Sequence, residues 1–290
     1  MPIDYEKLRN WQVPEVRQRL TQRDTMLYAL GLGLGADPMD RDQLRFVYER
    51  DLAALPTMAV VLCQPIGWTA DPETGIDRTG VVHGEQGFTI HRRLPVEGEL
   101  RSTTRVVEVV DKGAGKGALI LTETRVYGDG EAAPLATLAS TTFARRDGGF
   151  GGPSRSPHEP HRLPERDPDL VDDWPVIPQL ALIYRLSGDY NPLHADPDYA
   201  ARAGFRQPIL HGRATFGIAG IALLRRVCGW DPARLVSMQA RFSSPVYPGD
   251  TIRTAIWLDG AQVSFRCTVP ARSVTVLDHG RAVLGSALPG

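Results

Sequence analysis

The same order of signals occurs twice in this chain, on either side of a stretch that no regular element can cross. Residues 146–172 open with Arg-Asp-Gly-Gly-Phe-Gly-Gly-Pro and continue through Pro157, Pro160, Pro164 and Pro168. They lack apolar periodicity and are dense in breakers, so residues 147–172 read as a semi-extended linker between a first half, 1–146, and a second, 173–290. The first half carries Val82-His83-Gly84-Glu85, then Leu94-Pro95-Val96-Glu97-Gly98-Glu99-Leu100 and an alternating run over 101–110. The second carries Leu210-His211-Gly212-Arg213, then Pro245-Val246-Tyr247-Pro248-Gly249-Asp250-Thr251 and an alternating run over 252–258. Order is shared, spacing is not. A chain built this way is expected to fold as two copies of one unit, one of them diverged.

Residues 213–228 hold Phe216, Ile218, Ala219, Ile221, Ala222, Leu223 and Leu224, which wrap most of a helical surface. A helix that is apolar nearly all round must be buried. A second helix is expected over 23–34, opening at an Asp24-Thr25 start signal. Runs rich in Val, Thr and Ile, bounded by Gly, Pro and Asp, predict strands over 101–110, 118–127, 135–145, 235–243, 251–258, 262–269 and 273–285, with a hairpin loop over 113–117. Each half is thus expected to be one buried helix with several antiparallel strands, an α+β class.

Length and charge narrow the function. At 290 residues the chain suits two domains. Its formal net charge of −1 lacks the basic excess that a nucleic-acid or membrane-surface partner would require. Cys63, Cys228 and Cys267 have neither an even count nor metal-ligand spacing, and read as buried thiols of a reducing compartment. No apolar run approaches the roughly 18 residues of a membrane span. The opening residues, Met-Pro-Ile-Asp-Tyr-Glu-Lys, lack a leader profile, and the final Ala-Leu-Pro-Gly is no peroxisomal address. A cytoplasmic setting is expected.

The string Tyr-Arg-Leu-Ser-Gly-Asp-Tyr-Asn-Pro-Leu-His, residues 184–194, places a carboxylate, Asp189, five residues from an imidazole, His194. Asn191-Pro192 forces a turn between them, because the residue before proline is pushed out of the helical region. The pair can then face one water, and such a pair can add that water across a double bond by general acid–base chemistry. The same residues would equally serve a plain turn, with Asp189 capping it and His194 bonded to a carbonyl. Gly212, just ahead of the buried helix, offers either an unblocked helix N–H for a carbonyl oxygen or a tight loop-to-helix turn. His83-Gly84 allows both readings too, and the structural one is preferred there because no acid/base pair precedes it. His91, His158 and His161 are isolated, and no cluster has zinc spacing. The linker glycines lack the Gly-Lys-Ser/Thr of a phosphate loop, and no Gly-x-Ser-x-Gly elbow occurs. Lys112, in Asp-Lys-Gly-Ala-Gly-Lys-Gly, is a hairpin lysine that is either solvated or reaches a phosphate.

The 184–194 string followed by Pro-Ile-Leu-His-Gly resembles the hydratase 2 motif of the MaoC-like (R)-specific enoyl-CoA hydratases. Arg-Asp-Thr-Met-Leu-Tyr-Ala-Leu-Gly-Leu-Gly (23–33), Phe46-Val47-Tyr48-Glu49, Leu55-Pro56-Thr57 and His83-Gly84-Glu85-Gln86 resemble that family's diverged N-terminal half. Gly148-Gly149-Phe150-Gly151-Gly152 resembles its linker, and Ala-Arg-Phe-Ser-Ser-Pro-Val-Tyr-Pro-Gly-Asp-Thr (240–251) its late strand pair. The resemblance spans the chain. It implies a double hot-dog fold, two repeats each with a long helix wrapped by an antiparallel sheet, and hydration of trans-2-enoyl-CoA to the (3R)-3-hydroxyacyl-CoA without metal or redox cofactor. In that reading Asp189 and His194 hold the catalytic water, Asn191 orients their loop, and the Gly212 N–H binds the thioester oxygen. His83, Gly84, Lys112 and Phe242 fall where family members contact the acyl-CoA, the first half makes room for the acyl chain, and a homodimer is expected. Arg213 departs from the family, where an apolar residue usually follows His-Gly; it is expected to meet a CoA phosphate or an ion-pair partner. Dehydration of a 3-hydroxyacyl group on acyl carrier protein is the runner-up. A non-catalytic subunit fits poorly with an intact Asp189 and His194, and a thioesterase with a central helix, 213–228, that lacks Asp and Glu.

Overall fold

The computed structural model describes residues 2–285, so the terminal Ala-Leu-Pro-Gly considered above lies outside the described residues. Among the described residues there are ten strands: β1 (Val16–Leu20), β2 (Val81–Ile90), β3 (Gly98–Asp111), β4 (Ala118–Gly128), β5 (Ala136–Ala144), β6 (Leu170–Pro175), β7 (Leu235–Phe242), β8 (Thr251–Asp259), β9 (Gln262–Val269) and β10 (Val274–Leu284). They form one antiparallel sheet in the order β1-β3-β4-β5-β2-β7-β10-β9-β8-β6. Counted inward from its own edge, each half uses its first, third, fourth, fifth and second strands in turn. The halves meet at β2 and β7, where Glu85 lies opposite Arg241 and is paired with it at 2.7 Å. Both halves thus have one topology, in the α+β class.

Six helices accompany the sheet: α1 (Tyr5–Arg9), α2 (Gln22–Leu30), α3 (Arg41–Val47), α4 (Leu180–Tyr184), α5 (Pro197–Arg202) and α6 (Gly212–Arg226). None is long and apolar enough to cross a membrane. In α6 every residue from Ala214 to Leu224 is buried, as an all-round apolar helix requires. It touches β6, β7, β8 and β10 of its own half, and also β2 and the 3-10 turn Pro56–Val61 of the other. One apolar cluster accordingly runs from Leu20 to Ala282 through both halves. At its C-terminal end α6 carries Arg225 and Arg226 in the last turn, favourable for the helix dipole. Arg225 also grips the buried Asp172 of β6 at 2.6 Å.

The first half has no counterpart of α6 in length. Its equivalent place against β2 and β5 is taken by the turn Pro56–Val61, nearly all of it buried. The chain cannot extend that turn into a helix: Cys63 has a positive φ of 46°, and Gln64 precedes Pro65. The expectation of a long helix in each repeat therefore holds for the second half alone. The helix expected over 23–34 is α2, displaced toward the N-terminus. Thr21 is the cap, and Asp24 closes the capping box from the third helical position. The echo drawn from His83-Gly84 is also out of register, since these residues lie inside β2 and not at a helix start. Strand β6 begins at Leu170, inside the stretch read as linker.

The glycine-rich start of that linker has a specific anchor. The Asp111 carboxylate accepts N–H groups from Gly113 (2.8 Å), Gly149 (2.8 Å) and Gly151 (2.7 Å), which ties the β3–β4 hairpin to the strap. Gly149 and Gly151 have φ of 93° and 89°, which glycine adopts without strain.

Close approach between α6 and the first half depends on glycines on one stripe of the helix. A Cβ at Gly217 would lie 2.7 Å from Leu32 Cδ1, and one at Gly220 would overlap the Thr57 methyl group. Gly220→Ala is expected to destabilise the fold by about 1–3 kcal/mol, as overpacking does. Thr57→Ser, which removes that methyl, is expected to erase most of the loss. Thermal or chemical unfolding of the two single variants and the double variant checks the coupling; additive losses would mean that the contact is not tight.

Candidate active site

The loop between α4 and α5 is built from successive side-chain-capped turns. After α4 the chain makes a 3-10 turn, residues 185–187, closed by Gly188 at φ 111°. Asp189 Oδ1 then accepts the Asn191 N–H at 3.2 Å. Asn191 Oδ1 in turn accepts the Leu193 N–H at 3.0 Å, capping the turn Pro192–His194. Asn and Asp favour such turns because their short side chains reach the backbone two residues on. The result carries His194 inward to a buried position while Asp189 stays partly accessible.

Hydrogen bonds assign the imidazole protons. His194 Nδ1 lies 2.9 Å from the Ile209 carbonyl oxygen, which can only accept, so Nδ1 carries the hydrogen and Nε2 keeps a lone pair. His211 Nε2 donates to the Asp189 carbonyl at 3.1 Å and fixes the loop from the other side. The two rings stack with centroids 3.6 Å apart and 27° between planes. One Asp189 oxygen and one ring nitrogen from each histidine lie within 4.8 Å of one another. A water accepting or donating two hydrogen bonds spans roughly 4.5 Å, so the Asp189–His194 gap suits a single bridging water. The three residues also have ligand-like spacing for a cation. Yet stacked rings direct their in-plane lone pairs side by side instead of converging on one point, so the set fits water better than a tetrahedral metal.

Burial holds these imidazoles neutral. It lowers the His194 pKa, against the opposing effects of the Ile209 hydrogen bond and Asp189. His211 is pushed down to about 4, by burial first and then by His194. His83, which sits beyond them on β2, is pushed down to about 3 by burial and by the Arg213 charge.

The N-terminus of α6 points into the same space. His211 occupies the cap position, and no side chain caps the helix. Among the described residues none accepts the Gly212 N–H, so it remains available to a carbonyl oxygen. Where a Cβ on residue 212 would stand, the Phe242 ring lies 3.2 Å away, and glycine leaves that approach open. Phe242 packs on His83 with centroids 4.6 Å apart. Asp189, His194, Gly212, Phe242 and His83 therefore gather around the helix start. Gly84 does not join them as a helix-start donor. It sits at a β2 bulge, where a Cβ would crowd the Thr141 carbonyl at 3.1 Å. Lys112 is exposed on the β3–β4 hairpin, at the same end of the sheet but three strand spacings from β2. Arg213 turns inward to the side-chain oxygens of Gln64 (2.9 Å) and Gln86 (3.4 Å), and no described carboxylate lies within 4.0 Å of its guanidinium. The expected ion pair is therefore not formed among the described residues. A groove of about 400 Å³ lies elsewhere, between residues 158–161 and the central strands, and none of the acid/base residues lines it.

Four site neighbours were not singled out from sequence. His211 adjoins Gly212 and Tyr184 opens the 184–194 string, so position could have found both. Gln64 and Gln86 have no local signal, since their partner is Arg213, more than a hundred residues away.

Comparison with known proteins gives the chain its family. Residues 160–278 match the MaoC like domain, and residues 19–146 match the MFE-2 hydratase 2 N-terminal domain. The chain is 40% identical over 270 residues to 3-hydroxyacyl-thioester dehydratase Y of Mycobacterium tuberculosis, covering 90% of this chain and 91% of that protein. It is 37% identical over 284 residues to the peroxisomal enoyl-CoA hydratase 2 of Arabidopsis thaliana, covering 92% and 91%. Its structure resembles a MaoC-like dehydratase from Phytophthora capsici with a TM-score of 0.85, at 36% identity over 97% of this chain and 98% of the other. A conserved Mycobacterium tuberculosis protein with a double hotdog fold aligns at a TM-score of 0.53 and 15% identity, over 95% of each chain, a likeness of fold alone. With both halves of its double hot-dog matched in order, the chain belongs to the MaoC-like hydratase 2 family of hydratases and dehydratases.

Proposed function

We propose that this protein is an (R)-specific 2-enoyl-CoA hydratase, with Asp189 and His194 holding the reacting water. The observation that carries the reading is the placement of an Asp189 oxygen and a His194 nitrogen within 4.8 Å, beside the uncapped start of α6. The Gly212 N–H takes the thioester oxygen and stabilises the enolate that develops when C3 is attacked, as an oxyanion hole does. Water held by Asp189 and His194 loses a proton to the pair as its oxygen bonds C3. The pair returns a proton to C2 from the same side, giving the 3-hydroxyacyl thioester with every atom of water retained. Asn191 and His211 position the loop. Phe242 and His83 line the approach, and Gly84 and Lys112 keep the more distant substrate contacts that the family resemblance assigns. The second half is the catalytic one. The first half, with only a short turn where α6 has its length, leaves room for the acyl group. Three buried, unbridged cysteines fit a cytoplasmic setting.

Dehydration on acyl carrier protein is the second reading, supported by the thioester dehydratase relative from Mycobacterium tuberculosis. The chemistry is the same run backwards, so assays with matched CoA and carrier-protein thioesters separate the two. A tenfold or greater advantage for the carrier would favour dehydration in chain elongation.

Asp189→Asn and His194→Gln are each expected to lower kcat by about 10²–10⁴ without changing the circular dichroism spectrum. A loss below tenfold for either would remove that residue from the mechanism. The (3R) product is checked by chiral chromatography.

The lowered histidine pKa values set the pH dependence. His194 works neutral, so the acid limb of kcat/KM is expected below the ordinary histidine value of about 6.5. Stability follows the same sign. The unfolded chain protonates His83, His194 and His211 as pH falls through about 6.5, while the folded protein resists, so folding free energy drops from there toward the folded values. A melting temperature that is flat between pH 7 and pH 4.5 would contradict neutral burial of these rings.

A further inference from the structure

A buried guanidinium is costly unless an anion accompanies it. Two other arginines on the second half, Arg225 exposed and Arg272 partly buried, each contact a carboxylate: Arg225 pairs with Asp172 at 2.6 Å, and Arg272 with Asp250 at 2.7 Å. Arg213 does not. Its surroundings are desolvated enough to lower its pKa, yet its only described hydrogen-bond partners are two neutral amides. Both amides are held so that oxygen faces the guanidinium. Gln86 Nε2 donates to the Ala139 carbonyl at 3.0 Å, and Gln64 Nε2 to the Leu62 carbonyl at 3.1 Å. They aim the fork but carry no charge, so Arg213 feels the Asp189 carboxylate without touching it, and they engage two of its five N–H donors.

A cluster of hydroxyls lies along the same stripe of α6. Tyr28 and Tyr184 are fully buried, and their hydroxyls cluster with that of Thr57, with no carbonyl or carboxylate partner among the described residues. The Tyr28 hydroxyl sits over Gly217, one turn along the helix from Arg213, and Thr57 sits at Gly220. Tyr184 packs on Tyr28 and on His211, at centroid distances of 5.8 and 5.0 Å. Burial raises both phenol pKa values, so they remain donors at neutral pH. A cation and two phenols thus lie beside the loop that carries Asp189 and His194, with Thr57 further along α6.

We propose that Arg213, with the Tyr28 and Tyr184 hydroxyls, forms a carboxylate-binding subsite, so that the favoured acyl group is a short enoyl chain bearing a carboxylate at C4. The proposal rests on the hydratase reading, in which the thioester oxygen lies on the Gly212 N–H. The acyl chain then passes the water at C3 and meets the side chain of the next helix residue. A carboxylate there accepts a forked pair of hydrogen bonds from Arg213 and supplies the missing charge. An aliphatic chain leaves the same donors buried and unpaired, the condition under which a polar site rejects an analogue most strongly.

The test compares crotonyl-CoA with (E)-but-2-enedioyl mono-CoA, in which a carboxylate replaces the C4 methyl group. For the wild-type protein kcat/KM is expected to favour the carboxylated substrate by at least about a hundredfold. Arg213→Leu is expected to reverse that order, losing the carboxylated substrate and gaining on crotonyl-CoA. Arg213→Lys, which keeps the charge and loses the fork, is expected to retain the preference at about a tenth of its size. Wild-type protein that hydrates crotonyl-CoA as well as its carboxylated counterpart would overturn the subsite and leave the hydratase reading intact. A carboxylate preference that survives Arg213→Leu would overturn the assignment to Arg213. Turnover of neither thioester, by protein of native circular dichroism, would overturn the hydratase reading itself and the subsite with it.

Discussion

A helix that is apolar on every side cannot stand on a protein surface, and α6 is such a helix from Ala214 to Leu224. Everything around it answers that demand. The sheet of the second half wraps it, and the remaining exposure is closed by β2, α2 and the turn Pro56–Val61 from the first half. The two halves are consequently one core and not two domains in loose contact. The same constraint brings chemistry to one end, because a helix buried along its length delivers its uncapped first N–H groups into a sheltered place. Once the Asp189–His194 loop is folded over that start, the Gly212 N–H and the Asp189–His194 pair face the same small volume, the arrangement that the proposed hydration uses.

The loop succeeds because its own backbone does the positioning. Asp189, Asn191 and Pro192 shape consecutive turns, and His211 clamps the Asp189 carbonyl from the helix side. His194 is left with one nitrogen bound to Ile209 and the other free. Neutral, oriented and close to a carboxylate, the ring needs no further partner to handle a proton. Division of labour between the halves follows. One supplies a long helix and, in the proposed reading, the reacting groups; the other, stopped short at Cys63 and Pro65, supplies walls and polar side chains.

What could be read from the chain was whatever is local. Asp189, Asn191 and His194 are spaced within six residues around a proline, and Gly212 follows soon after, so their grouping was legible. Seven strands, rich in Val, Thr and Ile and bounded by Gly, Pro and Asp, were legible for the same reason. Strand β2 was not, because Gly84, Gly87 and Gln86 interrupt its pattern, and each is there for a tertiary cause: close approach to β5 or β7, or a bond to Ala139. Strands β1 and β6 are short and rich in charge, with β6 hidden at the end of a proline-rich strap. The start of α2 was misplaced because Asp24, a capping-box partner inside the helix, looks like a cap itself. Arg213 was visible as an oddity, but its amide and hydroxyl neighbours come from α2, α4 and the segments around residues 57, 64 and 86, which only the fold assembles.

In the proposed mechanism one water, held by Asp189 and His194 on one side of the double bond, supplies both the oxygen at C3 and the proton path to C2. Hydration of an enoyl-CoA substrate in deuterium oxide tests this most directly, with the relative configuration at C2 and C3 read from proton coupling constants. Deuterium and hydroxyl added to the same face of a (3R) product is the result the geometry predicts. Addition to opposite faces, or equal labelling of both C2 positions under single-turnover conditions, would contradict it.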